Sequence, residues 1–525
     1  MTFRILVSDP LGVEGMSVFE SVPGVKVDLF TNLSPEELIA CIGDYDALVV
    51  RSGTTVTADV LEAGSSLIVI GRAGVGVDNV DIDAATRLGI AVTNTPDANT
   101  NAAAEQTIAL MLAAARNTAL GHMSMLGGEW IRAPFTGTEM QGKTLGVVGF
   151  GRIGRRVAVI AQALGMNVVA YDPHVSELVA RDLDTTLTEL DDVLAVSDVL
   201  TLHRAGGDGS PLIDEETLAK MKQGAILINA ARGSLVDSAA LAAALDSGHL
   251  KAAGIDVFEK EPPAADHPLV GHPNVVHTPH LGASTDEAQA GVSTGIADQV
   301  LAILRGDGYP NTVNIAVSDN PRSKALLFLA ERIGRIQAAM AESHIVRVEI
   351  ELTGDVEETL VQTAATGVLK GILDARLDGP VNHVSAPILA KEHGITVAMA
   401  AGISHADYPN LLSCRVAMMG HERTVSGVVF GETEPRIVRI SRFHLDARPQ
   451  GTVLLLLNED VPGVVGKVGT VLGNHGVNIA EWHLGREDEG GLAISFVNLD
   501  TVPSSGSLAE LSALPEVVKV TVVEL

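Results

Sequence analysis

The sequence predicts an α/β protein: two doubly wound, parallel-sheet domains, then an α+β region, then a small βαββαβ unit. Three observations carry that expectation. The chain is 525 residues long, roughly three and a half domains of about 150 residues. Its first two thirds alternate short Val/Ile/Leu runs with Ala-rich helical stretches, the rhythm of a parallel sheet buried on both faces. Its last 75 residues instead run strand, helix, strand, strand, helix, strand.

From the amino terminus, apolar runs at 4–8, 47–51, 67–71 and 91–94 are predicted strands, separated by turn signals or helical periodicity. A long helix is expected over 101–117. From Thr144 a second series begins with TLGVVGF, MNVVAYD, SDVLTLH, GAILINA, AAGIDVF and NVVHTPH. Near Asn311 the character changes. Residues 323–343 read as an amphipathic helix, IVRVEIEL as an alternating strand, and TVSGVVFG and PRIVRISRF as further strands. RPQG at 448–451 marks a boundary by its turn chemistry. Beyond it TVLLLLNED, NIAEWHLGRE, LAISFVNLD and VVKVTVVEL are strands, and GVVGKVGTVLGNHG and SLAELSALP are helices.

Acidic side chains number 65 against 36 basic ones, a formal charge of −29. That balance excludes nucleic acid and anionic membrane surfaces as partners, because both require clustered Lys and Arg. A small anion remains compatible where a few basic residues converge. Hydrophobic residues at 46% and charged residues at 19% describe a globular chain. Cys41 and Cys414 are too few for a disulfide framework or a cysteine-rich metal site, so no metal is expected and a reducing, cytoplasmic setting is. MTFRILVSDP enters a strand directly, with no leader-like segment. No run reaches the ~18 apolar residues of a membrane span.

Gly149-Phe-Gly151-Arg152-Ile153-Gly154 is a G-x-G-x-x-G. Alone the motif is weak; here it ends a predicted strand and opens the helix RRVAVIAQALG, the context a dinucleotide requires. Gly149 permits the tight turn, Gly151 the approach of a pyrophosphate, and Gly154 close helix–strand packing. The N–H groups of Arg152 and Ile153 would face the phosphates. Asp172 ends the next strand, 18 residues beyond Gly154. A carboxylate there binds ribose hydroxyls and repels a 2′-phosphate, so NAD is expected over NADP.

Three later strand ends carry NAARGSLVD, GIDVFEKEPP and TPHLGAS. In a doubly wound sheet these ends border the binding crevice. Hydride chemistry at an oxygen-bearing carbon needs a cation for the substrate carboxylate and an acid/base near neutral pH. Arg232 has the planar fork for the first and His280 the titration range for the second. Glu261 is placed to orient the imidazole and favour its protonated form.

With RSGTTVTADV, GRAGVGVDNVDIDAA, VTNTPDANTNAAAEQ and FTGTEMQGKTLGVVGFGRIG added to those motifs, the whole chain resembles the D-2-hydroxyacid dehydrogenase family, and within it the long-form branch acting on 3-phospho-D-glycerate. The resemblance implies a catalytic set of Arg232, Glu261 and His280. It implies an NAD site that includes Asp172, Ala230, Ala231, Arg232, Asp256, His280, Gly282 and Ala283. It also implies two Rossmann-like domains with the first discontinuous: residues 1–98 with 283–314 for substrate, and 99–282 for NAD. Residues 315–450 then form a regulatory domain of the allosteric substrate-binding type, and 451–525 a ferredoxin-like ACT domain. RAGGDGSPLID departs from the family's Pro- and Thr-containing loop after His203, which puts the adenine-side contacts of Arg204, Gly206 and Gly207 in question.

A phosphorylated substrate needs further cations. Arg51, Arg72, Arg132 and Lys143 qualify by position, and the loop Gly74, Val75, Gly76 offers N–H groups for a carboxylate. The resemblance favours Arg51 and that loop, with Arg132 acting across a dimer interface. In the ACT-like unit it points to Asn458, Asp460 and Asn478 as an L-serine site between paired units. Arg436, Arg439, Arg442, His444 and Arg448 form a basic run where relatives bind anions. The expected activity is NAD-dependent oxidation of 3-phospho-D-glycerate to 3-phosphooxypyruvate, the first step of L-serine biosynthesis, with feedback by L-serine in a homodimer or homotetramer. Two other readings are open: a dehydrogenase for another D-2-hydroxy acid such as glyoxylate or hydroxypyruvate, and an NAD-sensing scaffold of the corepressor type.

Overall fold

Five parallel strands, β1 (Phe3–Val7), β2 (Val25–Leu29), β3 (Ala47–Val50), β4 (Val69–Arg72) and β5 (Ala91–Asn94), form the first sheet in the order β2-β1-β3-β4-β5. In the computed structural model, residues 2–206, 210–317, 320–354, 357–377, 379, 381–402 and 408–525 are described. Val25–Leu29 is the strand the apolar runs did not announce, because Lys26 and Asp28 break its hydrophobic pattern. One face of this sheet is covered from far downstream. The helix Asp286–Arg305 lays Val292, Ile296, Ala297 and Val300 on Ile5, Val7, Val49 and Val69. Its start is fixed by the Thr285 side chain accepting from Ala288 N–H and by Asp286 and Glu287 in the first turn; it ends at Gly306 in the left-handed region.

The second sheet holds seven parallel strands: β6 (Thr144–Val148), β7 (Asn167–Tyr171), β8 (Thr186–Leu187), β9 (Val199–Leu202), β10 (Ala225–Asn229), β11 (Leu250–Ile255) and β12 (Val275–His277). Their order, β12-β11-β10-β9-β6-β7-β8, reverses between β6 and β9. In such sheets a ligand crevice opens at that switch point, beyond the carboxyl ends of the strands. The helix Thr100–Arg116 links the two sheets and packs Ile108, Leu110 and Met111 into the core beneath β6 and β10.

The third sheet comprises β13 (Ile345–Thr353), β14 (Thr396–Gly402), β15 (Leu412–Met418), β16 (His421–Phe430), β17 (Glu434–Ile440) and β18 (Phe443–Ala447), in the order β14-β13-β15-β16-β17-β18. Only β13 and β14 run parallel. PRIVRISRF, expected as one strand, is split at Ser441, whose φ of 52° turns the chain. The amphipathic helix runs Pro321–Met340 and packs with a second, Glu358–Asp374.

The last sheet, β19 (Thr452–Glu459), β20 (Ile479–Arg486), β21 (Leu492–Leu499) and β22 (Val517–Glu524), is antiparallel in the order β20-β21-β19-β22. With the helices Val464–Asn474 and Ser505–Ser512 it is the expected βαββαβ. The run LLLL in β19 is apolar at every position because both faces are buried. Leu454 and Leu456 face the unit's own helices, whereas Val453 and Leu455, with Ile494, Phe496 and Val523, join the core around Leu329, Ile333 and Ile336. Each such aliphatic side chain contributes about 2 kcal/mol of burial. RPQG therefore separates two sheets but not two cores.

Candidate active site

The first and second sheets turn the carboxyl ends of their strands toward a common cleft of about 620 Å³. From the first sheet come Arg51, just past β3, Arg72 at the end of β4, and the loop Gly74–Gly76. From the second come Arg232, Glu261, His280 and Ala283, which follow β10, β11 and β12.

His280 Nδ1 lies 2.7 Å from Glu261 Oε2, and Glu261 Oε1 accepts from Phe258 N–H at 3.1 Å. The imidazole is thus held by one nitrogen and presents Nε2 outward, with about half of the side chain exposed. Its backbone has φ 54°, a left-handed conformation that a residue with a Cβ adopts at a cost. Asp256 over-determines that turn. One carboxylate oxygen accepts from the Thr278 hydroxyl at 2.5 Å and Leu281 N–H at 2.8 Å, and the other from Gly282 N–H at 2.9 Å. Asp256 is completely buried, so it lies beneath the crevice wall and sets the turn carrying His280. It was expected on the NAD-lining surface itself.

Arg232 reaches across the cleft. Its Nε stands 3.1 Å from Asp78 Oδ2 and its Nη1 donates to Ala231 O at 2.7 Å. A Cβ on Gly76 would lie 1.9 Å from Arg232 Nη2, so only glycine allows this approach. Asn229, buried at the end of β10, shapes the turn: its amide donates to Arg232 O at 2.8 Å and its oxygen accepts from Ala231 N–H at 3.1 Å.

Arg72 is half-buried beside these groups. Desolvation, then the like charges of Arg232 and Arg51, bring its guanidinium down to about 10, although it stays protonated at neutral pH. Its Nε has no partner among the described residues. Arg51 is held by its backbone: its N–H donates to Asp9 Oδ2 at 2.6 Å and its carbonyl accepts from Asn79 at 2.6 Å. Asn94 donates to Val75 O at 2.5 Å and so fixes the glycine loop. Three guanidinium groups thus meet in one cleft, where a half-buried, under-compensated cation is a binding site for an anion.

The dinucleotide elements sit at the switch point. A side chain on Gly149 or Gly154 would strike backbone, at 2.6 Å from His203 and 2.2 Å from Gly149 O, whereas one on Gly151 would meet open space. That open space, in front of the first turn of the helix Arg152–Ala163 with its unpaired N–H groups, fits a pyrophosphate. Arg152 also forms an ion pair with Asp97 at 2.6 Å. Asp172 accepts from Phe150 N–H at 2.7 Å and His174 N–H at 2.9 Å, which aims its carboxylate along the glycine turn. These residues fit NAD. Gly207 lies outside the described residues, while Arg204 is exposed.

Other expected positions are not brought to the cleft. Lys143 precedes β6, at the opposite end of the sheet from the switch point. Arg132 is exposed and outside the cleft lining of this chain. The serine set is divided. Asn458, the penultimate residue of β19, is buried with its Oδ1 unpartnered among the described residues, and Asp460 faces Arg486 at 3.6 Å. Asn478 precedes β20 and donates to Asp500 at 2.7 Å. The register pairs Asn458 with Ala493 and Ala493 with Arg486, but Ile479 with Leu499 and Leu499 with Thr452. Six residues of strand, about 20 Å, thus separate Asn458 from Asn478 within one chain. Three members of the basic run meet carboxylates, Arg436 with Glu434 and Asp446, Arg442 with Glu487 and Arg448 with Glu481, while Arg439 Nε donates to Ser441 O at 2.7 Å. Asp9, Asp78, Asn79, Asn94 and Asn229 went unrecognised in the sequence. Asp78 and Asn79 follow the glycine loop directly, which is the one local signal for them.

Comparisons with known proteins agree along the whole chain. Residues 108–282 match the family model of the D-isomer specific 2-hydroxyacid dehydrogenase NAD binding domain, 323–441 that of the D-3-phosphoglycerate dehydrogenase intervening domain, and 452–516 that of the ACT domain. D-3-phosphoglycerate dehydrogenase of Archaeoglobus fulgidus is 40% identical over 99% of this chain and 100% of its own. The Bacillus subtilis enzyme of that name is 36% identical over 100% of both. A solved glyoxylate reductase from Paecilomyes thermophila is 31% identical with TM-score 0.56, covering 59% of this chain and 98% of its own.

Proposed function

The chain belongs to the D-3-phosphoglycerate dehydrogenases, NAD-dependent members of the D-isomer specific 2-hydroxyacid dehydrogenases, and from that membership we propose that its cleft oxidises 3-phospho-D-glycerate to 3-phosphooxypyruvate. The observation that carries the substrate is the convergence of Arg51, Arg72 and Arg232. A molecule with a carboxylate at one end and a phosphate at the other matches such a cluster; glyoxylate, with one anionic group, leaves two cations unmatched.

Arg232 holds the carboxylate with its free Nη2 edge, while Arg51 and Arg72 take the phosphate. NAD, when bound, supplies the acceptor for the hydride leaving carbon 2. His280 Nε2 takes the hydroxyl proton, and the charge that develops on the ring is met by Glu261 at Nδ1. Asp172, the N–H groups of Arg152 and Ile153, and Ala230, Ala231, Gly282 and Ala283 hold the cofactor.

Regulation by L-serine rests on the last sheet. β20 is its edge strand. Pairing two β20 edges antiparallel about a two-fold axis brings the partner's amino-terminal end of that strand beside Asp460 and Asn458, which reunites a set one chain separates. Asp460 takes the ammonium and the asparagines the remaining polar groups. Edge pairing here, with a second contact through the catalytic half where Arg132 reaches a neighbouring cleft, gives a homotetramer working in the cytoplasm.

The test is NADH formation from 3-phospho-D-glycerate with and without L-serine. Turnover should require the phosphate and fall with serine. Preference for glyoxylate or hydroxypyruvate reduction would replace the substrate assignment, absence of any turnover would favour the scaffold reading, and indifference to serine would remove only the regulatory part.

A further inference from the structure

Within the cleft, Asp78 is the carboxylate that contacts Arg232. Glu261 is engaged by His280, Glu259 by His267 and Ser238, and Asp9 by the N–H groups of Arg51 and Thr54. Asp78 belongs to the first sheet's loop and Arg232 to the second sheet's, so their contact at 3.1 Å crosses the crevice. The loop beneath Asp78 is stiff. The neighbouring Asn79 amide donates at 2.6 Å to the carbonyls of both Arg51 and Thr54.

This contact fixes the fork of Arg232. Nε is occupied by Asp78 and Nη1 by Ala231 O, which leaves the Nη2 edge, lying over Gly76, to meet a ligand. A planar guanidinium held at two of its three nitrogens cannot swing about its Cδ–Nε bond. A carboxylate bound on the third edge inherits that orientation, and with it the direction in which carbon 2 presents its hydrogen.

We propose that Asp78 is a positioning residue for Arg232, acting on the alignment of the bound hydroxy acid more than on its affinity. This rests on the reading of Arg232 as the carboxylate ligand. Affinity is insensitive because Asp78 has two opposed effects: it aligns the fork, and it adds a negative charge beside a polyanionic substrate. Removing it costs alignment and relieves repulsion together.

The experiment uses the full-length enzyme, with initial rates on 3-phospho-D-glycerate and NAD binding followed by quenching of intrinsic fluorescence. Asp78→Ala should lower kcat about tenfold, the scale of one charge-assisted hydrogen bond, with KM unchanged or lower. Asp78→Asn keeps an acceptor oxygen for Nε and should hold kcat within about threefold of the parent on the same scale. In an Arg232→Lys background, which lacks the fork, Asp78→Ala should change kcat by less than about twofold, since the coupling has already gone. Three results would overturn the proposal: a parental kcat in Asp78→Ala, an equal loss in both backgrounds, or a weakened NAD affinity in Asp78→Ala. A parental kcat/KM in Arg232→Lys would instead overturn the reading of Arg232 itself.

Discussion

Two clusters of charge show how this fold separates binding from support. In the crevice, Arg51, Arg72 and Arg232 approach one another; among the described residues Asp78 is the carboxylate that meets one of their guanidinium groups, and Arg72 is held below its usual range by burial and by its like-charged neighbours. In the helical layer of the third sheet, Glu331 meets Lys370 at 2.9 Å, Arg335 at 3.2 Å, Arg332 at 3.1 Å and His383 at 3.2 Å. Burial opposes ionisation of Glu331, but His383 and Lys370 outweigh it and hold the carboxyl well below the usual carboxylate range. Cations that lack carboxylates await a ligand; a carboxylate surrounded by cations is already complete. The arithmetic of partners, not burial or charge density, distinguishes the two.

The largest expected contrast is in stability. Glu331→Ala takes from Arg332 and His383 the carboxylate they meet and leaves Lys370 and Arg335 with Asp374; it should cost about 3 kcal/mol, read as a lower urea midpoint, with kcat on 3-phospho-D-glycerate unchanged. A midpoint equal to the parent's would show that the cluster contributes nothing to the fold.

Arg72→Met should move the two readouts the opposite way. Removing a half-buried guanidinium that repels its neighbours leaves the urea midpoint equal or higher, while KM for 3-phospho-D-glycerate rises about 10- to 100-fold, the scale of a lost charged contact. The rise should be far smaller for a hydroxy acid lacking the phosphate. Equal rises for both substrates would move Arg72 from the phosphate to the carboxylate.

The smallest effect is a difference in acid response. His203, at the end of β9, is pushed down to about 4 by burial. Its folded value lies below its unfolded one, so it stabilises the second domain above pH 6.5 and that contribution is lost as pH falls from 6.5 toward 4. Glu331 is likewise depressed, but from 4.5, so its contribution persists until the pH drops below that value. Stability measured by urea from pH 7 to 5 should therefore fall by about 1–2 kcal/mol through His203. His203→Gln should flatten that slope and Glu331→Ala should not.

Much of the catalytic half was legible in advance because its signals are local. The glycine fingerprint, Asp172 at the next strand end, and Arg232, Glu261 and His280 after three successive strands each sit where periodicity and turn chemistry place them. The splitting of the basic run and of the serine set was not legible, since a residue's counter-ion and its end of a sheet depend on register. Asp256 illustrates the limit: sequence put it at the right strand end, and only packing showed it buried under the His280 turn.

By itself the sequence determined the strand–helix rhythm, the cofactor motif and the residue types of the chemistry, all governed by interactions within a few neighbours along the chain. Tertiary structure decided which distant segments meet: the helix Asp286–Arg305 on the first sheet, Asp78 against Arg232, and the last sheet's inner face in the core of the third. These contacts depend on burying complementary surfaces across long loops. No local pattern of residues encodes that complementarity.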